Sequence, residues 1–189
     1  MKNIFHPMKY ISNSKLAVKF QPELPKLYYK KDGILNDTVT ALEQLRQQYN
    51  PTPWLRNHHM HLMFFDMIKK NFINLEYDAI QQLTMTDGGI TAVAWFGLDL
   101  PEDRPTIILL HTITGTVDSM REVVRDLNTY TGWRVALCLR RGHDCLPLTV
   151  PKINLFGSTQ DLKEQIIYIQ DKFPNSDLYA VGSSAGTGL

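Results

Sequence analysis

One stretch limits the fold of this chain more than any other: Leu178-Tyr-Ala-Val-Gly-Ser-Ser-Ala-Gly-Thr-Gly-Leu189. The apolar run Leu178 to Val181 predicts a short buried strand. It runs directly into Gly182-Ser183-Ser184-Ala185-Gly186, which fits G-x-S-x-G. That spacing predicts a strand that ends in a sharp turn and hands over at once to a helix. The turn strains the backbone of its central residue, Ser184, and leaves no space for side chains beside it. Gly182 and Gly186 supply the missing space. Ser184 Oγ then stands exposed at a helix start, and the Ala185 N–H points where negative charge could develop. The pentapeptide alone fits a Gly/Ser-rich loop or a frayed tail equally well, so the upstream context decides between them.

Upstream, the pattern from Glu76 onward is one of strands. Asp78 to Met85 and Thr91 to Phe96 flank Thr86-Asp-Gly-Gly89, a hairpin signal. Thr106-Ile-Ile-Leu-Leu110 is a continuous apolar run of strand length, which suits a strand covered on both faces. His111-Thr-Ile-Thr-Gly115 follows. A helix through Met120, Val123, Val124 and Leu127 is expected next, capped by Asp118 or Ser119. Trp133 to Leu139 is another buried strand, ending in Arg140-Arg141-Gly142-His143. A long connection through Pro147 and Pro151 leads to a helix capped by Ser158 or Thr159, with Leu162, Ile166, Ile167 and Ile169 along it. Strands alternating with crossover helices predict an α/β fold, a mostly parallel sheet with helices on both faces. Sites in such sheets form at the carboxyl ends of strands. His111 to Gly115, Arg141 to His143, and Ser184 all fall there.

The N-terminal residues, 1–75, read as an extension with helices that pack on the core, and 76–189 as the α/β domain. Met1 to Pro25 has little periodicity and reads as loop. Asn36-Asp37 is a candidate cap for a helix from Thr38 to Gln48, which Pro51 and Pro53 end. Trp54-Leu55 is an apolar anchor. Leu62 to Ile73, with Met63, Phe64, Phe65, Met67, Ile68 and Phe72, predicts a helix whose apolar stripe packs on the domain body; a lipid-facing or lid-like surface is the alternative. His58, His59 and His61 sit between the two. Adjacent histidines point apart on a helix or a strand, and Asp66 is the sole carboxylate near ligand spacing, so no metal is expected.

Composition narrows the function classes. A chain of 189 residues, 43% apolar and 21% charged, has the make-up of a soluble globular domain. A net charge of +1 argues against nucleic acid as a partner. Two cysteines, Cys138 and Cys145, form no disulfide framework and point to a reducing compartment. No run approaches the roughly 18–20 apolar residues of a membrane span, and Met1 to Lys30 has no apolar core of a signal peptide.

In these stretches the chain resembles the AB hydrolase 4 family: the bacterial YheT-type hydrolases, their fungal acyltransferase/esterase relatives, and the animal α/β-hydrolase domain-containing proteins one and three most closely. Tyr29-Tyr-Lys-Lys-Asp-Gly33, Tyr49-Asn-Pro-Thr-Pro-Trp-Leu55 and Asn57-His58 are similar to its N-terminal signature. Thr86 to Gly89, Arg104 to Gly115, Arg141-Gly142, Gly157-Ser-Thr-Gln-Asp-Leu162 and Phe173-Pro174 match further landmarks in order. The resemblance implies the N-terminal part of an α/β-hydrolase fold, with later strands missing. It implies a serine hydrolase of carboxylic esters without cofactor, acting on lipids or on short- to medium-chain acyl or phospholipid esters. It places the nucleophile at Ser184 and the oxyanion hole at the N–H groups of Ile113 and Ala185. The triad Asp and His of the family follow later strands. A cytosolic or loosely membrane-associated location, with peripheral membrane contact and no transmembrane segment, is the matching expectation. The alternative is a catalytically inactive chain that acts as a binding or regulatory partner. Glycine is usual in the family where Thr112 and Thr187 stand, and a β-branched residue at Thr112 restricts the loop backbone. His111 and His143 occupy positions that the family uses for loop structure rather than as general base. Arg141 is expected in a salt bridge or on loop carbonyls, Asp161 in the first turn of its helix, and Asp118 as a cap.

Overall fold

A computed structural model describes residues 24–68, 72–154 and 159–188. Most of the N-terminal loop reading, the Ser158 cap and Gly157 lie outside them. The chain divides into two compact units, residues 1–69 and 70–189.

In the first unit, α1 spans Asn36–Ala41, and a 3-10 turn follows over Glu43–Arg46. The expected helix to Gln48 stops early because Leu42 adopts an extended backbone (ψ 91°). Asn36 and Asp37 lie inside the first turn rather than capping it; Leu35 precedes the helix without a side-chain cap. Helix α2 spans His58–Met67. It starts four residues before the expected Leu62, because Asn57 caps it. The Asn57 side-chain oxygen accepts from the N–H groups of His59 (2.9 Å) and Met60 (3.4 Å). Trp54 packs edge-on against Phe64 with ring centres 4.9 Å apart. No residue of α2 is buried among the described residues. The rings of His58 and His59 do not diverge as expected; their centres are 4.0 Å apart. Among the described residues no group of three His, Cys, Asp or Glu is placed to hold a metal ion.

The second unit is a five-stranded sheet. Its strands are β1 Ala79–Thr84, β2 Ile90–Phe96, β3 Thr106–Leu110, β4 Arg134–Leu139 and β5 Leu178–Gly182. Their order is β1-β2-β4-β3-β5. β3 runs parallel to β4 and β5, while β2 is antiparallel to both β4 and β1. Four of the five strands therefore point one way, and the sheet is mostly parallel as expected. Helix α3, Val117–Thr131, follows β3, and helix α4, Thr159–Lys172, follows β4.

Alternating side chains build two cores. On one face Ala92, Ile107, Leu109, Val135 and Leu137 pack against Met120 and Val124 of α3. On the other, Val93, Trp95, Ile108, Leu110 and Cys138 pack against Ile169 of α4 and Phe173 beyond it. Strands buried on both faces read as unbroken apolar runs, which is why β3 and β4 stood out in the sequence. The cap of α3 is Thr116, not Asp118 or Ser119. Thr116 Oγ1 accepts from the Ser119 N–H (3.1 Å) while Ser119 Oγ accepts from the Thr116 N–H (2.8 Å), a reciprocal capping box. Asp118 instead pairs with Arg121 one turn on (2.8 Å). Among the described residues no helix is long and apolar enough to cross a membrane.

Candidate functional site

Three loops leave the carboxyl ends of β3, β4 and β5. The β5 loop turns most sharply. Ser184 has φ +52°, a left-handed backbone on a residue with a Cβ. Such a conformation costs roughly 1–3 kcal/mol and persists where neighbours over-determine it. Here both flanking glycines do so. A Cβ on Gly182 would lie 2.7 Å from the Gly186 carbonyl oxygen, and one on Gly186 would collide with the Leu110 carbonyl. The Ser183 N–H donates to the Leu110 carbonyl (3.0 Å), and the Gly186 N–H to the Ser183 carbonyl (2.9 Å). The serine-bearing turn is thus sewn to the end of β3. Ser184 is exposed, and a 3-10 helix over Ser184–Gly188 begins with it. The N–H of Ala185 lies in the first turn of that helix, where backbone donors have no intrahelical acceptor. Thr187 is exposed and its hydroxyl donates to the Ser184 carbonyl (2.6 Å), so a side chain is accommodated there.

The β3 loop is held by its carbonyls. The Thr112 carbonyl accepts from the Gly115 N–H (3.0 Å), from His111 Nδ1 (2.7 Å) and from Arg140 Nη2 (2.5 Å). Gly115 is required, since a Cβ would lie 2.6 Å from His111 Nδ1. Thr112 is not among the non-glycine residues with positive φ, which are Asp144, Cys145 and Ser184, so its β-branch meets no left-handed backbone. His111 is buried, and its Nε2 accepts from the Arg140 N–H (3.3 Å). The proton therefore sits on Nδ1, facing the Thr112 carbonyl. Burial pushes the His111 pKa down to about 4, with nearby Arg140 and His143 acting the same way against the Thr112 hydrogen bond.

The β4 loop carries two arginines that leave in different directions. Arg140 reaches the β3 loop. Arg141, 1% exposed, pairs with buried Asp161 at the start of α4 (Nε–Oδ2 2.8 Å). It also grips Asp87 of the β1–β2 turn with two bonds of 2.9 and 3.0 Å. Gly89 lies so close that a Cβ would strike the guanidinium. The hydrogen bond from Arg141 holds the Asp87 carboxyl well below the usual carboxylate range. His143 Nε2 lies 2.9 Å from the Ile113 carbonyl and its Nδ1 3.2 Å from the Arg141 carbonyl.

Because β5 pairs with β3, the Ser184 turn and the 111–115 loop leave the sheet side by side. His111 and His143 lie together beside that loop, ring centres 5.0 Å apart, with their nitrogens engaged by main-chain groups. Among the described residues no side chain is bonded to Ser184 Oγ. The salt bridge of Arg141 and the first-turn place of Asp161 follow the sequence reading. The grip of Arg140 on the loop does not appear in it; the charge pair ending an apolar run was the available signal.

No protein-family profile matches the chain. It is similar to embryogenesis-associated protein EMB8 of Picea glauca, with 25% identity over 167 residues, covering 83% of this chain and 36% of EMB8. It is also similar to protein ABHD15 of Homo sapiens, with 38% identity over 58 residues, covering 31% of this chain and 12% of that protein. The chain thus spans about a third of the length of EMB8, 36%. Among solved structures it is similar to the esterase Pf2001 of Pyrococcus furiosus, with TM-score 0.48 and 21% identity over 61% of this chain and 46% of that one. An esterase of Pyrobaculum calidifontis has TM-score 0.48 and 16% identity, covering 76% of this chain and 48% of the other. A five-stranded, mostly parallel sheet with helices on both faces and a glycine-framed serine turn after its fifth strand has the arrangement of part of an α/β-hydrolase fold.

Proposed function

We propose that this chain carries the nucleophile and the oxyanion donors of a serine hydrolase that acts on carboxylic esters, of the AB hydrolase 4 kind. The reading rests above all on Ser184, held at φ +52° between two glycines that admit no side chain. Ser184 Oγ attacks the ester carbonyl as a base takes its proton. The tetrahedral oxyanion is met by the N–H groups of Ile113 and Ala185, the alcohol leaves with a proton, and water or a second alcohol resolves the acyl-enzyme. His111 and His143 are not that base, since their ring nitrogens are engaged by main-chain groups. The base and its acid come from outside the described part of this unit. Lipid or short- to medium-chain acyl or phospholipid esters are the proposed substrates. A cytosolic or loosely membrane-associated location is part of the proposal, with the exposed Leu62 and Met63 of α2 as its lipid contact. Co-sedimentation with liposomes tests that contact; loss of binding in Leu62→Ser is expected, and binding that ignores the change would sink it.

Labelling with a fluorophosphonate probe tests the reaction. In extracts of the protein's own cells, the Ser184 peptide should be modified, and Ser184→Ala should abolish the modification. An unmodified Ser184 peptide, in an extract where other serine hydrolases label, would refute the proposal. A second reading, binding without catalysis, is favoured by β5. Its Tyr179 and Val181 are exposed, whereas every residue of β3 and β4 is buried. That reading predicts no labelling and a partner seated on β5.

A further inference from the structure

The peptide unit between Thr112 and Ile113 is held from one side. Three donors converge on its carbonyl: the Gly115 N–H, His111 Nδ1 and Arg140 Nη2. The Arg140 contact is the shortest of the three, and the same nitrogen also reaches the His111 carbonyl (3.4 Å). The next carbonyl, of Ile113, is held by His143. In a trans peptide the C=O and N–H point in opposite directions, and the described backbone contains no cis bond. Whatever fixes the Thr112 carbonyl therefore aims the Ile113 N–H the other way, away from Arg140. Ile113 is exposed, and its N–H meets no main-chain acceptor among the described residues.

Arg140 differs from the other two donors in charge. Gly115 offers a neutral amide, and His111 is a neutral ring at neutral pH. A guanidinium stays protonated, and hydrogen bonds in series through one peptide polarise each other. A cation on the carbonyl makes the N–H of the same peptide a stronger donor.

Building on the reading of residues 111–115 as an oxyanion loop, we infer that Arg140 is a positioning residue for the Ile113 N–H. It clamps the Thr112 carbonyl and polarises the peptide whose opposite end meets the oxyanion. It touches no reacting atom itself.

The test combines two measurements on the whole chain and on its Arg140→Met, Arg140→Gln and Arg140→Lys variants. The first is the rate of Ser184 modification by a fluorophosphonate, separated into maximal rate and half-saturating probe concentration. The second is the pair of NMR signals from the Thr112 carbonyl carbon and the Ile113 amide, before and after modification. Removing an oxyanion donor outright costs about 10²–10³ in rate, so removing its support should cost on the order of tenfold. That loss should fall on the maximal rate, with half-saturation unchanged and part of the rate restored in Arg140→Lys. The Thr112 carbonyl signal should move upfield in Arg140→Met and Arg140→Gln, and the downfield shift of the Ile113 amide on modification should shrink. A folded Arg140→Met or Arg140→Gln variant with the wild-type maximal rate would overturn the inference while leaving the proposed reaction intact. If the wild-type chain is not modified, the oxyanion reading has failed on this chain, and the clamp is judged on the carbonyl and amide signals. Signals unchanged across all three variants then overturn it. Should Arg140→Met not fold, Arg140→Gln and Arg140→Lys decide on the same readings.

Discussion

At Gly186 one missing methyl holds the site together. The Leu110 carbonyl lies where a Cβ would go, so Gly186→Ala must push the elbow off the end of β3. A cost of about 1–3 kcal/mol is expected for such overpacking, read as a lower urea midpoint, together with loss of Ser184 labelling. Unchanged labelling would mean that the elbow does not need this contact. His111 gives a pH-dependent counterpart. Its pKa falls from the ordinary 6.5 to about 4 on folding, so the native state binds fewer protons than the unfolded chain between those values. Its contribution is therefore complete above pH 6.5 and is lost as pH falls toward 4, with no further loss from this group below that. The size is on the order of 3 kcal/mol at 1.36 kcal/mol per pKa unit. Urea midpoints at pH 7 and pH 4.5 should differ more in the wild type than in His111→Gln; equal differences would refute it. The strained turn at Ser184 was legible in the sequence because the spacing of two glycines around a serine has a steric meaning. Arg140 was not. Two adjacent arginines look alike in sequence, and only the alternation of neighbours at a strand end sends one to the β3 loop and the other to α4.

Among the elements, the strand positions were easy to read and the helix starts were not, although β5, expected to be buried, leaves Tyr179, Ala180 and Val181 exposed. Burial on both faces writes β3 and β4 into the sequence as apolar runs. A helix start depends on which of several nearby polar side chains reaches back to a free N–H. Thr116 rather than Asp118 or Ser119 does so for α3, and Asn57 starts α2 a full turn early. The long-range ties between elements leave no local pattern at all. Arg141 joins the β1–β2 turn to α4 through Asp87 and Asp161, residues that lie 54 and 20 positions away. Arg141→Gln strands the Asp161 carboxylate, 2% exposed, without its cation. Removing one partner of such a pair costs about 3–5 kcal/mol, whereas replacing both with apolar residues of similar volume is often tolerated. Urea unfolding should therefore show Arg141→Gln as strongly destabilised and Arg141→Met with Asp161→Leu as substantially recovered. A double variant no better than the single one would show that the pair does more than balance charge.

For the second unit as a whole, protection falls along the sheet toward the strand that carries the proposed nucleophile. β3 and β4 are buried throughout, covered by α3 on one side and α4 on the other. β5, which delivers Ser184, pairs with β3 alone among the described strands and leaves Tyr179 48% and Val181 37% exposed. Tyr179 finds partial cover by stacking on Trp133, ring centres 4.6 Å apart. An apolar strand with a free row of N–H and C=O groups is a template for pairing with another chain. Amides of β5 should accordingly exchange with solvent faster than those of β3 and β4, which open only with the whole unit. The isolated chain should also associate through this edge. Its sedimentation coefficient is expected to rise with concentration, and Val181→Lys should flatten that rise by placing a charge on the strand. A wild-type chain that stays monomeric throughout, or a Val181→Lys variant that associates as readily, would show that the β5 edge is closed off in some other way.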